Sequence, residues 1–402
     1  MPECCCPRAL PNRRHAAPAA PAASCGPAVL AAPDSPALPP LPAVRLRLTV
    51  RADGPLPLPS YAGSMLRGAL GHALMDLAPL PHASGQACAL RESCTYCQVF
   101  APVPQTAHSL QKFSQMPAPY VIEPPFQMDS AHTGANANTG ADSDTDAGGA
   151  CLTLRKGETF SFGLVLIGRA LQHLPTLTLA FARACQRGLG PRHTPCFLLS
   201  IEHEQPAGSA AASFGATFAP VWRPGQGAPA LPASAATLPA PAALAGSASL
   251  QLLTPLRLQL NNRPAKAHEL TARALLIALA RRCQLLMDTQ LGPNAPQLDF
   301  AALAAQAEAI RLDASGLRWF NWARYSSRQR QAMNLGGLLG TLHLHGQQPD
   351  GLAPFAGLLH LGQWLHAGKE TTFGLGRYAL TALADAASAK PPAAPAFALQ
   401  SP

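Results

Sequence analysis

The residue with the clearest chemical setting is His72, in a segment whose apolar spacing predicts a helix over residues 61–77. At 100° per residue, the apolar side chains of this segment share one side of the helix: Leu66, Leu70, Ala73, Leu74 and Leu77. Tyr61, Gly68 and His72 fall on the opposite side, with Gly71 beside them. A histidine whose pKa is near neutral can accept or donate a proton. The alternative is a surface histidine without a role.

Two glycines on this outer side of the helix need an explanation, since each costs roughly 1 kcal/mol relative to alanine. Gly68 and Gly71 therefore indicate that another backbone, of RNA or protein, approaches the helix closely. Simple packing against a second helix is the alternative. His366, directly before a glycine-rich segment, is a reserve candidate for acid–base work.

The glycine-rich segment is residues 368–377, which superficially resembles a phosphate-binding P-loop. The spacing back to Gly362 is one residue too long, and Glu370 stands where Ser or Thr would hold magnesium. The segment also follows a predicted helix and leads into a strand, the reverse of the P-loop order, which excludes nucleotide hydrolysis by that motif. Glycine amides beside Lys369 and Arg377 could still contact a phosphate. A tight turn that needs positive φ is the alternative.

Four arginines and four aromatic residues interleave over residues 317–330, without an acidic residue. Guanidinium groups and stacking faces are what single-stranded or hairpin RNA requires. On a strand, the following residues share one face: Arg318, Phe320, Trp322 and Arg324. Trp319, Asn321 and Tyr325 lie largely on the other. The alternative is a core of aromatics with a solvated arginine edge.

Cys88, Cys94 and Cys97 form a candidate zinc site, because Cys94 and Cys97 have Cys-x-x-Cys spacing. A tetrahedral structural site needs four ligands, so His82 must be the fourth or the site is incomplete. We therefore predict that the catalytic site binds no metal and that the protein has no cofactor. A zinc ion bound by the three cysteines is the alternative. A redox pair is disfavoured, since no thioredoxin-like strand and helix surround it.

The order of predicted elements indicates an α+β fold with two tandem ferredoxin-like (RRM-like) domains. Residues 250–383 follow the sequence strand, helix, strand, strand, helix, strand, which is the split βαβ pattern. Residues 43–204 fit it less clearly and carry Cys-containing and low-complexity insertions. The Pro/Ala-rich segments 1–42, 205–249 and 384–402 are predicted to be a disordered tail, a disordered linker and a second disordered tail.

Charge and length limit the partners of the chain. The formal charge of +9 over 402 residues suggests a polyanion, either nucleic acid or an anionic membrane. No run of about 18 apolar residues exists, and the aromatics of 319–325 are strand-like, which disfavours membrane binding. An odd cysteine count of 11, mostly isolated in apolar context, favours the reducing cytoplasm.

Three of these segments together resemble the CRISPR-associated RAMP endoribonucleases that process precursor CRISPR RNA. Residues 61–72 (YAGSMLRGALGH) are similar to the first helix of that superfamily. Residues 322–329 (WARYSSRQ) with Leu335-Gly336-Gly337 are similar to its C-terminal domain, and residues 364–378 to its glycine-rich loop. The resemblance covers roughly 43–204 and 250–383.

The resemblance implies tandem ferredoxin-like domains and metal-independent cleavage of repeat RNA. In that chemistry a ribose 2′-hydroxyl attacks the adjacent phosphate, which gives 2′,3′-cyclic phosphate and 5′-hydroxyl ends. It implies His72 as general base, with Tyr61 and Arg67 as local partners, and His366 in reserve.

The implied RNA-binding residues come from the arginine-rich strand and the glycine-rich loop: Arg318, Trp322, Arg324, Arg328, Gly368, Lys369, Gly374, Gly376 and Arg377. The expected partners are precursor CRISPR RNA repeats and other CRISPR effector subunits. The alternative function is a non-catalytic RAMP subunit that binds guide RNA within an effector complex.

Overall fold

The computed structural model of the protein describes residues 39–80, 82, 88–102, 116–125, 150–205, 216–241, 243–244, 246–326, 331–348 and 350–383. For residues 150–151, 323–326 and 331–335 it describes the backbone alone. Residues 1–38 of the predicted tail 1–42, the whole predicted tail 384–402, and residues 127–149 of the low-complexity segment predicted over 127–150 lie outside the described residues.

A five-stranded antiparallel sheet forms the first domain. Its elements are β1 (Ala43–Ala52), β2 (Leu56–Pro59), α1 (Gly63–Leu77), β3 (Tyr120–Glu123), β4 (Ala150–Leu154), β5 (Thr159–Ile167), α2 (Leu174–Arg187), β6 (Cys196–Glu204) and β7 (Phe218–Trp222). The strand order is β3-β5-β1-β6-β7, while β2 and β4 pair in a separate two-stranded ribbon.

Alternation along β1 separates the two faces of this sheet. Val44, Leu46, Leu48 and Val50 are buried in one hydrophobic core with side chains of α1 and α2. Because successive side chains of a strand point to opposite faces, the arginines of β1 lie on the face away from these helices.

The second domain contains a four-stranded antiparallel sheet with one additional strand. Its elements are β8 (Ser247–Leu256), β9 (Gln259–Leu260), β10 (Arg263–Pro264), α3 (Ala272–Leu291), α4 (Phe300–Glu308), β11 (Ile310–Asp313), β12 (Leu317–Ser326), β13 (Gln331–Gly346), α5 (Ala356–Leu365) and β14 (Tyr378–Leu383). The order is β11-β13-β8-β14, and β12 pairs with the first half of β13.

Both sheets have the ferredoxin-like arrangement, as predicted. In each, the strands that come second, third, first and fourth along the split βαβ unit lie side by side. In the first domain, α1 and α2 are the two connecting helices. In the second, α3 with α4 and then α5 take those places.

The structure differs from the predicted elements at the second strand of the second domain. The sequence predicts a helix over 299–311, whereas α4 ends at Glu308 and β11 begins at Ile310. Four residues are too few to show a strand alternation. β11 is the second strand of the split βαβ unit. The strand predicted over 317–326 is instead an additional hairpin partner of β13.

The structure also differs from the predicted linker over 205–249. Within that range β7 pairs with β6, and Ala235 in a short 3-10 helix packs on the first core. Pro220 lies in β7 at the edge of the sheet, where a missing N–H is tolerated. Because this segment is low in hydrophobicity and rich in proline, its apolar residues show no periodicity that would predict β7.

The hydrophobic core of the second domain extends into the first domain. Ala43, Val121, Val165 and Ile167, from the first sheet, are buried in the same cluster as the strands and helices of the second domain. The second domain thus covers part of the face of the first sheet that is turned away from α1 and α2. Among the described residues, no helix combines the length and apolar composition needed to cross a membrane.

Candidate nucleic-acid interface

The start of α1 contacts the glycine-rich segment of the second domain. A side chain at Gly63 would overlap the main-chain carbonyl of Phe373, so the absence of a Cβ allows this close approach. The predicted core side of the helix is largely confirmed, since Leu66, Leu70, Ala73 and Leu74 are buried.

His72 lies on the exposed side of α1. It is nine residues (72 − 63) beyond Gly63, which corresponds to about 13 Å along the helix axis. The structure therefore separates His72 from the glycine-rich loop along the axis of α1 and leaves it accessible from solvent.

The two outer glycines of α1 differ in their surroundings. A Cβ at Gly71 would overlap the ring of Phe100, which belongs to a one-turn π-helix over Tyr96–Phe100. A Cβ at Gly68 would have no atom within 4 Å. Protein thus occupies the space beside Gly71, whereas the space beside Gly68 is open.

Arg67 lies half-buried on the same helix. Its guanidinium carbon is 4.6 Å from the centroid of the Phe100 ring, a cation–π contact that holds the side chain against the helix. Burial raises the pKa of the nearby Tyr120 hydroxyl to about 12, against the effect of the Arg67 charge, which lowers it. Tyr120 is therefore neutral beside Arg67.

Tyr61 is buried at the contact between the two domains. Its hydroxyl donates a hydrogen bond of 3.0 Å to the carbonyl of Phe373, and its ring centroid is 5.5 Å from that of Trp322. Together with Leu375, these residues form a small hydrophobic cluster. Burial, and then the Glu123 carboxylate, raise the pKa of Tyr61 well above its usual range. Tyr61 therefore joins α1, the glycine-rich loop and β12 as a neutral side chain.

The glycine-rich loop is shaped by three glycines with positive φ: Gly368 (84°), Gly374 (100°) and Gly376 (74°). A Cβ at any of them would meet a main-chain carbonyl, those of Arg257, Ile122 and Ala367 respectively. The amides of Gly374 and Gly376 donate to the carbonyls of Thr371 and Pro255. A tight turn that needs positive φ, the alternative from the sequence, accounts for the two buried glycines, Gly374 and Gly376.

The exposed part of this loop is its tip, at Lys369 and Glu370. The main chain of Lys369 is fixed by a hydrogen bond of 2.8 Å to the Arg257 carbonyl. The Lys369 side chain therefore extends to solvent from a fixed backbone.

β12 presents the predicted alternation of its two faces. Phe320 and Trp322 stack on one face with ring centroids 6.0 Å apart, and Trp322 is buried while Arg318 is exposed. On the other face, the indole N–H of Trp319 donates to Asn321 Oδ1 at 2.6 Å. The side chain of Arg324 is not described, and Arg328 lies outside the described residues.

A buried ion cluster across the domain contact was not predicted from the sequence. Arg45 on β1 contacts Glu123 (Nε to Oε1, 3.0 Å) and Glu204 (Nη1 to Oε2, 2.8 Å) of its own domain. Its third nitrogen donates to the carbonyl of Gln363, at the end of α5, at 2.7 Å. Arg377 lies 3.4 Å from the other oxygen of Glu123.

His366 belongs to this cluster and has no exposed surface. Its Nε2 is 3.0 Å from Glu123 Oε1 and its Nδ1 is 3.1 Å from the Leu375 carbonyl. Burial lowers the pKa of His366, against the effect of Glu123. Burial alone would raise the pKa of Glu123, but Arg45, Arg377 and His366 bring it well below its usual range.

The sequence signals missed the cluster because its members come from distant positions. Arg45 occupies an alternate position of a strand, which is typical of a solvated side chain, but Gln363 and Trp364 of the second domain lie against it. The cysteine group, by contrast, was a candidate from the sequence, and the structure brings its members together: Cys88, Cys94, Cys97 and His82.

The two domains match two different protein families. Residues 41–233 match the family described as the AF_1859 N-terminal domain. Residues 250–378 match the family described as the CRISPR-associated endoribonuclease Cas6. No curated protein matches the chain significantly.

Several solved structures are similar to the chain at low sequence identity. Thermus thermophilus Cas6 has 13% identity, with 85% of this chain and 99% of that one covered, at a TM-score of 0.43. A Cas6 product complex has 14% identity, 85% and 99% coverage, and a TM-score of 0.45. A RAMP protein that binds different RNA substrates has 9% identity, 84% and 99% coverage, and a TM-score of 0.38.

The resemblance seen in the glycine-rich loop and the arginine-rich strand is thus supported by an independent match over the same domain. Residues 250–378 of this chain are similar to the CRISPR-associated endoribonuclease Cas6 family.

Proposed function

We propose that this protein is an endoribonuclease that matures CRISPR RNA by cutting the repeats of a precursor transcript. The observation that carries the proposal is the Cas6 family match over residues 250–378. The formal charge of +9 supports a polyanionic substrate.

The RNA-binding surface in this proposal uses the exposed cations of the second domain. Lys369 at the loop tip and Arg318 on β12 are both exposed and reach phosphate oxygens. Trp319, 41% exposed on the opposite face of β12 from Arg318, offers a stacking face to an unpaired base. We assign Arg324 and Arg328 to the same surface on the basis of the sequence pattern. Arg377, which the sequence pattern also placed there, contacts Glu123 of the ion cluster, so we propose that it supports the loop.

Trp322, Gly374 and Gly376 support that surface from beneath. All three are buried, and the cluster of Trp322 with Tyr61 and Phe373 fixes β12 and the loop relative to α1. In this arrangement they position the residues that touch RNA. Gly368 is only partly buried and adjoins Lys369, so we place it at the RNA-binding surface.

In the proposed reaction, His72 takes the proton from the ribose 2′-hydroxyl at the cleavage site. The freed 2′-oxygen forms a bond to the adjacent phosphorus, and the bond from phosphorus to the 5′-oxygen breaks. The leaving 5′-oxygen then receives a proton from water, so the products carry a 2′,3′-cyclic phosphate and a 5′-hydroxyl. The exposure of His72 supports this role, because RNA can reach its ring.

The partners of His72 have different geometric support. Arg67 lies on the same helix and is held by Phe100, which suits stabilisation of the negative charge on the phosphate. Tyr61 is buried and bonded to Phe373, so we propose that it acts by positioning the loop. His366 is buried with both ring nitrogens near protein acceptors, and we place it in reserve behind His72.

Metal independence is part of the proposal, because the nucleophile is the 2′-hydroxyl of the RNA itself and no metal-activated water is needed. The test is cleavage of a labelled repeat RNA with magnesium omitted and EDTA added for the length of the assay. We expect cutting at one site, and no cutting when the ribose upstream of that site is replaced by 2′-deoxyribose. Cutting of the 2′-deoxy substrate, or a strict need for magnesium, would contradict the mechanism.

The alternative function, a non-catalytic RAMP subunit that binds guide RNA, has its own outcome in the same assay. Tight binding of the repeat RNA without cleavage, at every pH tested, would favour that subunit over the enzyme. Binding to other CRISPR effector subunits remains a prediction of both.

A further inference from the structure

Four potential metal ligands converge after the end of α1. The Nε2 atom of His82 is 3.2 Å from Cys97 Sγ and 3.5 Å from Cys94 Sγ. With Cys88 Sγ included, all four ligand atoms lie within 4.8 Å of one another. Bonds of about 2.3 Å to sulfur and about 2.0 Å to nitrogen put ligand atoms about 3.5–3.8 Å apart in a tetrahedron. The observed spacing is close to that of such a tetrahedron.

Local structure explains how so short a segment brings the sulfurs together. Turns over residues 88–93 reverse the chain after Cys88, with the Cys94 amide donating to the Leu90 carbonyl at 2.9 Å. The side chain of Gln98 donates to the Arg91 carbonyl at 2.9 Å, which closes the turn onto the following helix. Cys-x-x-Cys spacing then puts Cys94 and Cys97 on the same side.

The ring of His82 is held in place to face these sulfurs. Its centroid is 4.7 Å from that of Tyr96, which stands between the two cysteines in sequence. The Thr95 hydroxyl is 2.9 Å from His173 Nδ1, and this contact connects the segment to the start of α2. The site is thus attached to the first domain at both of its helices.

A redox pair explains these four residues less well than a metal does. A disulfide would use two of the three thiols. It would give no role to the third thiol or to the His82 imidazole nitrogen beside it. Three sulfurs and one nitrogen are, by contrast, a complete ligand set for a structural zinc ion.

We propose that His82, Cys88, Cys94 and Cys97 bind one Zn²⁺ in a closed tetrahedral site. With four protein ligands, no position remains for substrate or water, so this zinc is structural and not catalytic. Its role is to hold the π-helix Tyr96–Phe100 against α1, where Phe100 fills the space beside Gly71 and supports Arg67.

The test is the metal content of the full-length protein, purified under reducing conditions and desalted. We expect roughly one zinc per chain in the wild type, and loss of that zinc in His82→Ala and in Cys97→Ser. Two matched controls should keep it: His268→Ala at an exposed histidine and Cys185→Ala at a buried thiol outside the group. Cys4, Cys5 and Cys6 are a second group of thiols in the chain. The substitutions at His82 and Cys97 therefore decide which of the two groups binds the zinc.

A second measurement keeps the proposal testable if the variants fail to fold. Wild-type protein reconstituted with Co²⁺ should show the visible absorption of a tetrahedral site and a thiolate charge-transfer band. Removal of the metal by a chelator should increase hydrogen exchange in residues 88–102 and α1. A zinc-free wild type without a cobalt spectrum, zinc retained by Cys97→Ser, or a Cys94–Cys97 disulfide in reduced buffer would each overturn the proposal. None of these readouts depends on RNA cleavage.

Discussion

At the scale of single residues, burial separates the two candidate histidines. The sequence marks both His72 and His366 as possible acid–base groups, because each stands beside glycines and basic residues. In the structure His72 is exposed, whereas His366 is enclosed and contacts Glu123 across the domain contact. Chain neighbours alone cannot reveal this, since the groups that enclose His366 come from β1, β3 and the loop before β14.

Glu123 is the residue on which the buried ion cluster depends, because Arg45, His366 and Arg377 all contact it. We expect Glu123→Gln to lower the free energy of unfolding by about 3–5 kcal/mol, since it leaves buried cations without their counter-charge. Denaturant unfolding measures this loss. The matched control is Glu202→Gln, whose partner Arg47 is partly exposed, with an expected loss of about 0–1 kcal/mol.

The same variant should show a defined dependence on pH. The folded pKa of Glu123 is below its ordinary value of 4.5, so its contribution is complete above that pH and is lost as the pH falls further. The difference in unfolding free energy between wild type and Glu123→Gln should be constant near neutral pH and shrink below about 4.5. A difference that grows on acidification would contradict the cluster.

At the scale of elements, α1 shows which features a sequence pattern can predict. The side of α1 that is buried follows from its apolar spacing. The close approach predicted at the two glycines is found only at Gly71, where a side-chain ring and not a backbone fills the space, whereas no atom lies within 4 Å of a Cβ at Gly68. The identity of the approaching group at Gly71, the Phe100 ring, depends on a segment nearly thirty residues away (100 − 71 = 29). Local spacing carries no information on such a contact.

The two outer glycines of α1 should respond in opposite ways to alanine. Gly68→Ala should raise the free energy of unfolding by about 0.5–1 kcal/mol, because alanine favours the helix and the space is open. Gly71→Ala should lower it by about 1–3 kcal/mol through overlap with Phe100. Thermal or denaturant unfolding of the pair checks both, and equal effects at the two positions would contradict the packing of α1.

The exposed cations of β12 and the loop should bind RNA mainly through phosphates. Lys369→Ala and Arg318→Ala should each weaken repeat RNA binding and reduce the slope of log K against log salt by about 0.7 per lost contact. Arg263→Ala is the control, since Arg263 is exposed but lies outside β12 and the glycine-rich loop. An unchanged slope in both variants would remove these residues from the RNA surface.

At the scale of the whole molecule, the tandem ferredoxin-like arrangement could be predicted, but the contact between the domains could not. Strand and helix periodicity reflects which face of each element is buried, and it is strongest in the second domain. It failed at β11, which has four residues, and at β7, which contains Pro220. The shared core and the ion cluster around Glu123 arise from pairings between distant segments, for which one sequence contains no periodic signal.

The central claim is that this chain cuts CRISPR repeat RNA with His72 as the proton-transfer group. The most direct measurement is single-turnover cleavage of the cognate repeat RNA by wild type, His72→Ala and the exposed-histidine control His268→Ala. We predict that His72→Ala cuts about 10²–10⁴-fold more slowly with unchanged RNA affinity, while His268→Ala matches wild type. Wild-type rates from His72→Ala, or RNA binding without cleavage by the wild type, would contradict the claim.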